Sequence, residues 1–354
     1  MRHTMFRCLA LAAAASLASS AVHARFADPM HSPAIVNPWA AHEPMMAVAR
    51  AGQRLVAVGP RGVILVSDDD AAHWRQVSVP VSSDLVAVTF KSATQGWAVG
   101  HDGEVLHTSD GGGTWVRQLD GEQAAKLMTD YYAKQQGASA ALKASREEAQ
   151  RFVADGGGRP FLDVWFDDEH SGWVIGSFNI IFHTEDGGFS WVPWFDRVDN
   201  PEALNLHAMR RIGGTLYIVG EQGLLLKLDP DKKRFVAVSL PSKGSLFGLA
   251  SAGNAMIAYG LLGNAYRSTN GGVTWTKITL PTSASILASA ERANGHLLLA
   301  TQAGELLESS DQGATFHRLT VSQPGGIFAM SLRDDTAVVA GGHGLSRIAL
   351  AKSK

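Results

Sequence analysis

Residues Thr108 to Trp115 read TSDGGGTW, and variants of this octapeptide recur along the chain. The other copies are TEDGGFSW (Thr184 to Trp191), STNGGVTW (Ser268 to Trp275), SSDQGATF (Ser309 to Phe316), SDDDAAHW (Ser67 to Trp74) and LDPDKKRF (Leu228 to Phe235). Successive terminal aromatic residues lie 41, 76, 44, 40 and 41 residues apart, so one unit of about forty residues repeats. A period of this length is typical of propeller blades and repeat arrays.

Each octapeptide belongs to a longer unit, which is clearest in DLVAVTFKSATQGWAVGHDGEVLHTSDGGGTWVRQL, from Asp84 to Leu119. Four short runs of apolar, β-branched and aromatic residues alternate with Gly-containing turns, which predicts a four-stranded antiparallel meander. A small residue precedes the second turn of every unit, at Gly59, Gly100, Gly176, Gly220, Gly260, Thr301 and Gly341. The count is seven, so we predict an all-β fold, a seven-bladed β-propeller.

The seventh unit, Gly326 to Leu350, contains only three predicted strands and has no closing aromatic residue. A blade that lacks its outer strand exposes an unpaired sheet edge. We therefore expect the segment Arg25–Ile35 to supply the missing strand.

The octapeptide matches the Asp-box, a hairpin turn between the third and fourth strands of a blade. Its carboxylate or amide can accept hydrogen bonds from the backbone of its own turn, and its aromatic side chain can wedge between neighbouring sheets. The residues in these two roles are Asp69, Asp110, Asp186, Asn270 and Asp311, and Trp74, Trp115, Trp191, Trp275 and Phe316. We interpret them as structural, because one or two carboxylates per turn are too few for the oxygen shell of Ca²⁺. No metal site and no cofactor are predicted.

Residues 1–24 have the features of a secretory signal: Arg2 and Arg7, an apolar stretch, and the cleavage sequence Val22-His23-Ala24. We expect a propeller over 25–354, exported to the periplasm without its single cysteine, Cys8. Cys8 begins the apolar stretch, whereas a lipoprotein signal needs a cysteine at the end. Removal of the signal leaves 29 basic against 33 acidic residues, which favours neither nucleic acid nor an anionic membrane surface as a partner. No remaining apolar run is long enough for membrane insertion.

The interval of 76 residues contains an insertion at about 121–158 that is rich in Ala, Gln, Glu and Lys. Two helices are predicted there, Glu122–Gln135 and Ala138–Ala154. The first has an apolar face formed by Ala124, Leu127, Met128 and Tyr131. The pair can be a hairpin on the propeller rim or an element for docking a partner, and both interpretations stay open.

The insertion connects the fourth strand of one blade to the first of the next, so it shares a face with the turns between second and third strands. We therefore expect it to overhang the ring that these turns form. The predicted partner-binding residues of these turns are Arg61, His101, Phe178, Asn179, Glu221, Gln222, Leu262, Gln302 and His343. This mixture of charged, amide and apolar side chains is more typical of a protein or peptide surface than of a catalytic centre.

The order of these features resembles the photosystem II stability/assembly factor-like propellers of bacteria, which are grouped with sialidase-type Asp-box repeat proteins. The residues that carry the resemblance are the GWAVGHDGEVLHTSDGGGTW-type blades, FADP at 26–29, the helical insertion, DNPEALNLHAMRR at 199–211 and GEQGLLLK at 220–227. The resemblance implies a non-enzymatic exported scaffold that binds a membrane protein or complex on its periplasmic side. In relatives without photosynthesis, the partner implied is different and includes efflux-type transporters.

The alternative function is an Asp-box glycoside hydrolase of the sialidase or glucanase type. The Arg-Ile-Pro signature of sialidases is absent from the sequence. Asp84 and Asp163, at the starts of inner strands, are the candidates for a catalytic carboxylate pair. His107 and His183 occupy matching repeat positions, so we interpret them as strand residues and not as metal ligands. We predict no catalytic residue.

Overall fold

A computed structural model of the chain describes residues 28–321 and 325–351; the predicted signal peptide and residues 25–27 of the expected closing strand lie outside them. The described residues form seven antiparallel sheets. Within every sheet the strands follow one another in chain order, and neighbouring sheets contact through their inner strands. The prediction of a seven-bladed β-propeller is therefore confirmed.

Six blades have four described strands and the seventh has three. The strands of blades 1 to 3 are β1 (Ala47–Ala51), β2 (Arg54–Val58), β3 (Ile64–Ser67), β4 (Arg75–Gln76), β5 (Leu85–Phe90), β6 (Gly96–Gly100), β7 (Val105–Thr108), β8 (Val116–Leu119), β9 (Phe161–Phe166), β10 (Gly172–Gly176), β11 (Ile181–Thr184) and β12 (Val192–Pro193). Those of blades 4 and 5 are β13 (Leu206–Ile212), β14 (Thr215–Gly220), β15 (Leu225–Asp229), β16 (Arg234–Ala237), β17 (Leu246–Ala252), β18 (Ala255–Gly260), β19 (Ala265–Ser268) and β20 (Thr276–Lys277). Those of blades 6 and 7 are β21 (Ile286–Glu291), β22 (Leu297–Thr301), β23 (Leu306–Ser309), β24 (His317–Arg318), β25 (Ile327–Arg333), β26 (Thr336–Gly341) and β27 (Gly344–Ala349).

The hydrophobic core consists of layers between neighbouring blades. Trp115, which ends the octapeptide of blade 2, packs in one cluster with Val56 and Val66 of blade 1. Trp191 of blade 3 packs in the same way with Val99 and Val105 of blade 2. Second strands such as β6 are buried along their whole length because they are covered on both faces.

Glycine precedes the second turn because the backbone of the inner strand comes very close there. At Gly100 a Cβ atom would overlap the carbonyl group of Asp84, the residue before β5. The φ angle of Gly100 is extended, so the requirement is for space and not for a left-handed conformation. Five other blades also have glycine at this position, and blade 6 has Thr301.

The octapeptide turns of blades 1, 2, 3, 5 and 6 share one hydrogen-bond pattern, whereas blade 4 has Pro230 at the position of the acceptor. In blade 2, Asp110 Oδ1 accepts from the Thr114 backbone N–H at 2.9 Å and from the Thr108 hydroxyl at 2.8 Å. In blade 5, Asn270 Oδ1 accepts from Thr274 N–H at 2.9 Å. The side chain at this position therefore closes its own hairpin.

The N-terminal segment does not complete blade 7, so that prediction is wrong for the described residues. Asp28–Ile35 lies along blade 1: Ser82 N–H donates to the Pro29 carbonyl at 2.9 Å, and Ala34 N–H donates to the Val79 carbonyl at 3.1 Å. Prolines at 29, 33 and 38 also remove the N–H donors that an added strand needs. Among the described residues, β27 has no strand paired to its outer side.

The ring closes by apolar packing between blades 7 and 1. Val338 and Ala340 of β26 share a cluster with Leu55 and Ala57 of β2. The Met45 N–H also donates to the Gly341 carbonyl at 3.1 Å. The propeller therefore closes without a strand shared between its termini.

A buried ion pair anchors the N-terminal segment to blade 2. The Arg117 guanidinium donates to both carboxylate oxygens of Glu104, at 2.9 and 3.0 Å, and to the Met30 carbonyl. Burial raises the pKa of Glu104 to about 7, against the opposing effect of Arg117. The carboxyl group therefore titrates near neutral pH in the folded protein.

The insertion forms two helices, α1 (Gly121–Lys134) and α2 (Ala140–Ala154), within two residues of the predicted bounds. Asp120 caps α1 by accepting from Gln123 N–H, and Ser139 caps α2 by accepting from Leu142 N–H. Their buried residues belong to the core cluster of blades 2 and 3, together with Trp191. The hairpin is therefore part of the folded core. No helix of the described residues has the length and apolar character to span a membrane.

Candidate functional site

The turns between second and third strands form a ring on one face of the propeller. We call it the turn ring, and it comprises Pro60–Gly62, His101–Gly103, Ser177–Asn179, Glu221–Gly223, Leu261–Gly263, Gln302–Gly304 and Gly342–Gly344. In the first five turns the central residue has a left-handed backbone: Arg61, Asp102, Phe178, Gln222 and Leu262, with φ between 53° and 57°. These are tight hairpins of the type that favours Asn-Gly.

Side chains from the next blade hold several of these turns. The Arg61 backbone N–H donates to Asp84 Oδ1 at 2.7 Å, and the Phe178 N–H donates to Asn205 Oδ1 at 2.7 Å. The Leu262 N–H donates to the Ser285 hydroxyl at 3.2 Å. Each acceptor precedes the inner strand of the following blade. Neighbouring blades therefore fix the unfavourable left-handed conformation.

The predicted partner-binding residues occupy different environments in the turn ring. Arg61, His101, Phe178, Gln222, Leu262, Gln302 and His343 are exposed. Asn179 is buried and accepts from Asn200 Nδ2 at 3.0 Å. Glu221 is half-buried, and its carboxylate accepts from the Asn205 backbone and side chain at 2.9 and 3.1 Å. Asn179 and Glu221 are thus engaged in contacts within the protein.

Two of the central turn residues, which we call tips, are apolar and exposed. Phe178 is 53% exposed and Leu262 is 69% exposed. A bulky side chain is an unfavourable choice for a left-handed turn position, which costs about 1 kcal/mol or more relative to Gly or Asn. The hairpin geometry therefore does not explain the identity of these side chains.

The helical hairpin meets the turn ring at blades 2 and 3. Gly121, at the start of α1, lies against Gly103 of the blade 2 turn. Arg159, just after the hairpin, lies between the rings of Phe152 and Phe178, 5.1 Å from each centroid. Away from the junction with the turn ring, α1 contacts β12 and α2 contacts Phe195–Arg197. The helices thus run along the outer side of blade 3, and the expectation that they overhang the whole ring is not met.

Arg159 forms two ion pairs at this junction. It is 6% exposed and pairs with Glu148, and with Asp155 at 2.8 Å. Glu148 is also buried and accepts from Arg151 at 2.5 Å. These ion pairs couple the end of α2 to the Phe178 tip. The sequence does not reveal Arg159, because its ion-pair partners Glu148 and Asp155 belong to the insertion and not to the repeated blade pattern.

The proposed carboxylate pair of a glycosidase is engaged in other contacts. Asp84 accepts the Arg61 N–H described above. Asp163 is buried at the central channel, where its Oδ2 pairs with Arg210 at 2.6 Å and accepts from Met209 N–H at 2.8 Å. The channel is a cavity of about 240 Å³ lined by the inner strands of all seven blades. Both carboxylates therefore serve contacts between neighbouring blades.

The two repeat histidines lie in third strands, beside tryptophan rings. His107 is 5.2 Å from the Trp97 ring and His183 is 4.0 Å from the Trp173 ring, measured between centroids. Burial lowers the pKa of both imidazoles. Within residues 28–321 and 325–351, no three His, Cys, Asp or Glu side chains cluster as a metal site.

The fold and its ring of exposed turns define a seven-bladed β-propeller. The chain belongs to the photosynthesis system II assembly factor YCF48 family, whose pattern matches residues 66–135 and 153–318. The unmatched interval, 136–152, contains most of α2.

Known relatives agree with this membership. Photosystem II assembly lipoprotein Ycf48 of Synechococcus sp. (strain CC9902) is 33% identical over 64 residues, which are 17% of this chain and 19% of that protein. The match thus spans about a fifth of the length of this curated relative.

Two solved structures show the same fold. A structure of YCF48 bound to D1 peptide is 16% identical with a TM-score of 0.63, and covers 93% of this chain and 99% of the other. YCF48 from Cyanidioschyzon merolae is 15% identical with a TM-score of 0.64, and covers 90% and 98% of the two chains.

Proposed function

We propose that this chain is an exported, non-enzymatic assembly factor whose turn ring binds an extended segment of a membrane protein. The observation that carries the proposal is the set of exposed tips Arg61, Phe178 and Leu262, held in left-handed conformations by neighbouring blades. Strain of this kind persists where the surrounding structure fixes it, and it is frequent at ligand-binding sites.

The chemistry of the tips suits a peptide better than a small substrate. Arginine and aromatic residues are enriched at the centres of protein interfaces. Family membership and the peptide-bound structure of a relative support the same class of partner. The partner is proposed to be a membrane protein on the periplasmic side, and an efflux-type transporter is one candidate.

The test replaces the three tips together by asparagine, as Arg61→Asn, Phe178→Asn and Leu262→Asn. Asparagine tolerates the left-handed conformation, which offsets the loss of the Phe178 contact with Arg159 and of the exposed Arg61–Glu43 ion pair, so the variant should fold. Val273→Asn, in the octapeptide turn of blade 5 on the opposite face, is the matched control. Crosslinking in membranes of the source cells, followed by mass spectrometry, identifies the membrane protein captured by the parent chain.

We expect the triple variant to capture this protein at least about tenfold less, because removal of interface anchors costs more than 1 kcal/mol each. The Val273 control should capture it normally. A folded triple variant that captures as much as the parent would show that the turn ring is not the binding surface.

A further inference from the structure

The face opposite the turn ring carries a phenylalanine that its hairpin does not require. Phe189, in the octapeptide turn between β11 and β12, is 85% exposed. The residues at the same position in four other copies are Ala72, Gly113, Val273 and Ala314. The blade 2 turn, with Gly113, has the same hydrogen bonds as the blade 3 turn, because Asp110 and Asp186 each accept from the backbone N–H four residues later. The aromatic ring therefore has no role in closing the hairpin.

A groove begins beside Phe189 and runs between blades 3 and 4. This blade 3–4 groove has a volume of about 470 Å³, and Ser190, the residue after Phe189, forms part of its wall. Its other lining residues include Trp173, His183, Trp194, Arg197, Arg211 and Lys233. A volume of this size accommodates a few side chains of an extended segment.

The groove carries an excess of positive charge. Arg211 is neutralised by Asp167, with an Nη2–Oδ2 distance of 2.5 Å. Arg197 lies 4.7 Å from the Trp194 ring centroid and donates to the Tyr131 hydroxyl at 2.9 Å. Among the described ion pairs, neither Arg197 nor Lys233 has a carboxylate partner, and Glu185 is the other unpaired charge of the lining.

Contacts of Arg197 preorganise the groove for an anion. The Trp194 ring and the Tyr131 hydroxyl orient the Arg197 guanidinium, so less side-chain entropy is lost when a carboxylate binds. Lys233 lies in the turn between β15 and β16 with a left-handed backbone, and its exposed side chain lines the groove. The surface thus combines one apolar anchor with two available cations.

We propose that Phe189 and the blade 3–4 groove dock an extended acidic peptide segment of a second partner protein. Phe189 would pack against apolar side chains of the segment, while Arg197 and Lys233 would bind its carboxylates. The surface lies on the face opposite the turn ring, so one propeller could hold two partners at once. The proposal does not depend on the function of the turn ring.

The probe is a library of short random peptides displayed on phage and selected against the folded protein. The variants are Phe189→Ala, which copies the residue of blades 1 and 6, and Lys233→Asn, which removes a charge and suits a left-handed backbone. Val273→Ala removes apolar surface at the equivalent position of blade 5 and is the matched control. Fluorescence anisotropy of the most enriched peptide measures affinity, and thermal melting confirms folding.

We expect enriched peptides to combine Asp or Glu with apolar residues. Phe189→Ala should weaken their binding about tenfold or more. Lys233→Asn should weaken it and reduce its dependence on salt, while Val273→Ala should leave it unchanged. Enrichment of peptides without acidic residues, or undiminished binding to both groove variants, overturns the proposal. Self-association that Phe189→Ala abolishes in sedimentation would assign the surface to a second copy of the chain and likewise overturn it.

Discussion

Removal of a single octapeptide carboxylate should destabilise the whole propeller measurably. Asp186 Oδ1 accepts from the Ser190 backbone N–H and the Thr184 hydroxyl, both at 2.8 Å, and its Oδ2 accepts from the Ser190 hydroxyl at 2.6 Å. Asp186→Ala removes both acceptor oxygens and with them all three hydrogen bonds. Ser190 is exposed, so water can replace part of the loss, whereas Thr184 is buried.

The expected loss is about 1–3 kcal/mol in the free energy of unfolding, since each hydrogen bond is worth about 1 kcal/mol net. The chain itself supplies a matched control. Asn270 occupies the same position in blade 5, where it accepts from Thr274 N–H and donates to the Thr274 hydroxyl at 2.8 Å. Asp186→Asn should therefore retain the hairpin and cost less than about 1 kcal/mol.

The assay is urea unfolding of the parent and both variants, with comparison of midpoints and slopes. Burial alone would raise the pKa of Asp186, but hydrogen bonds from Ser190 and Thr184 outweigh this effect, and the pKa lies below its usual range. The advantage of the parent over Asp186→Asn should therefore be complete above the ordinary carboxyl pKa and disappear as pH falls through the lowered value. An Ala variant as stable as the parent, or an Asn variant as unstable as the Ala variant, would refute this account of the turn.

Three further outcomes follow from the buried charges and the signal sequence. Glu104→Gln should remove a pH dependence: the pKa of Glu104 is raised from 4.5 to about 7 in the folded protein, so its contribution favours folding at low pH and declines as pH rises through this range. Urea midpoints from pH 4 to 8 should show the parent losing stability relative to the variant, and parallel curves would contradict the assignment. Arg159→Met leaves the buried Glu148 with the exposed Arg151 as its remaining cationic partner and should cost up to about 3 kcal/mol, much of which Glu148→Gln should restore in the double variant. Thermal melting of the three variants measures this coupling, and a double variant no better than the single one would disprove it. Export should be accompanied by cleavage after Ala24, which mass spectrometry of the secreted protein checks by its N-terminal residue.

The sequence predicts the repeat architecture because its signals are local. A blade needs glycine where backbones approach, a carboxylate or amide to close a hairpin, and an aromatic residue to fill the space between sheets. Gly100, Asp110 and Trp115 meet these needs within sixteen residues of one another. The small residue before the second turn occurs seven times and the octapeptide six times, and the first count gives the number of blades.

Contacts between distant segments could not be predicted from the same pattern. Of the apolar face predicted for α1, Ala124 and Met128 are fully buried, whereas Leu127 and Tyr131 are half-buried and Ala125 and Tyr132 are buried instead. The Tyr132 hydroxyl donates to Asp196 Oδ1 at 2.8 Å, a partner that follows the outer strand of blade 3. Helical periodicity alone cannot choose between the adjacent aromatic residues Tyr131 and Tyr132. The position of the insertion between two blades predicts the face of the propeller at which the hairpin begins. It does not predict the direction in which the helices run along the rim.

The closure of the ring has a consequence for both proposed surfaces. Because blades 7 and 1 are joined by apolar packing and the Met45 N–H, the contact between them is formed by segments at opposite ends of the chain. Phe178 of the turn ring and the blade 3–4 groove lie far from this contact in sequence. The helical hairpin packs along the outer side of blade 3, to which both belong. Local opening between blades 7 and 1 does not break the contacts of the hairpin with blades 2 and 3. Binding at blades 3 and 4 should therefore withstand local opening at blades 7 and 1, which places both surfaces on the part of the propeller that the hairpin reinforces.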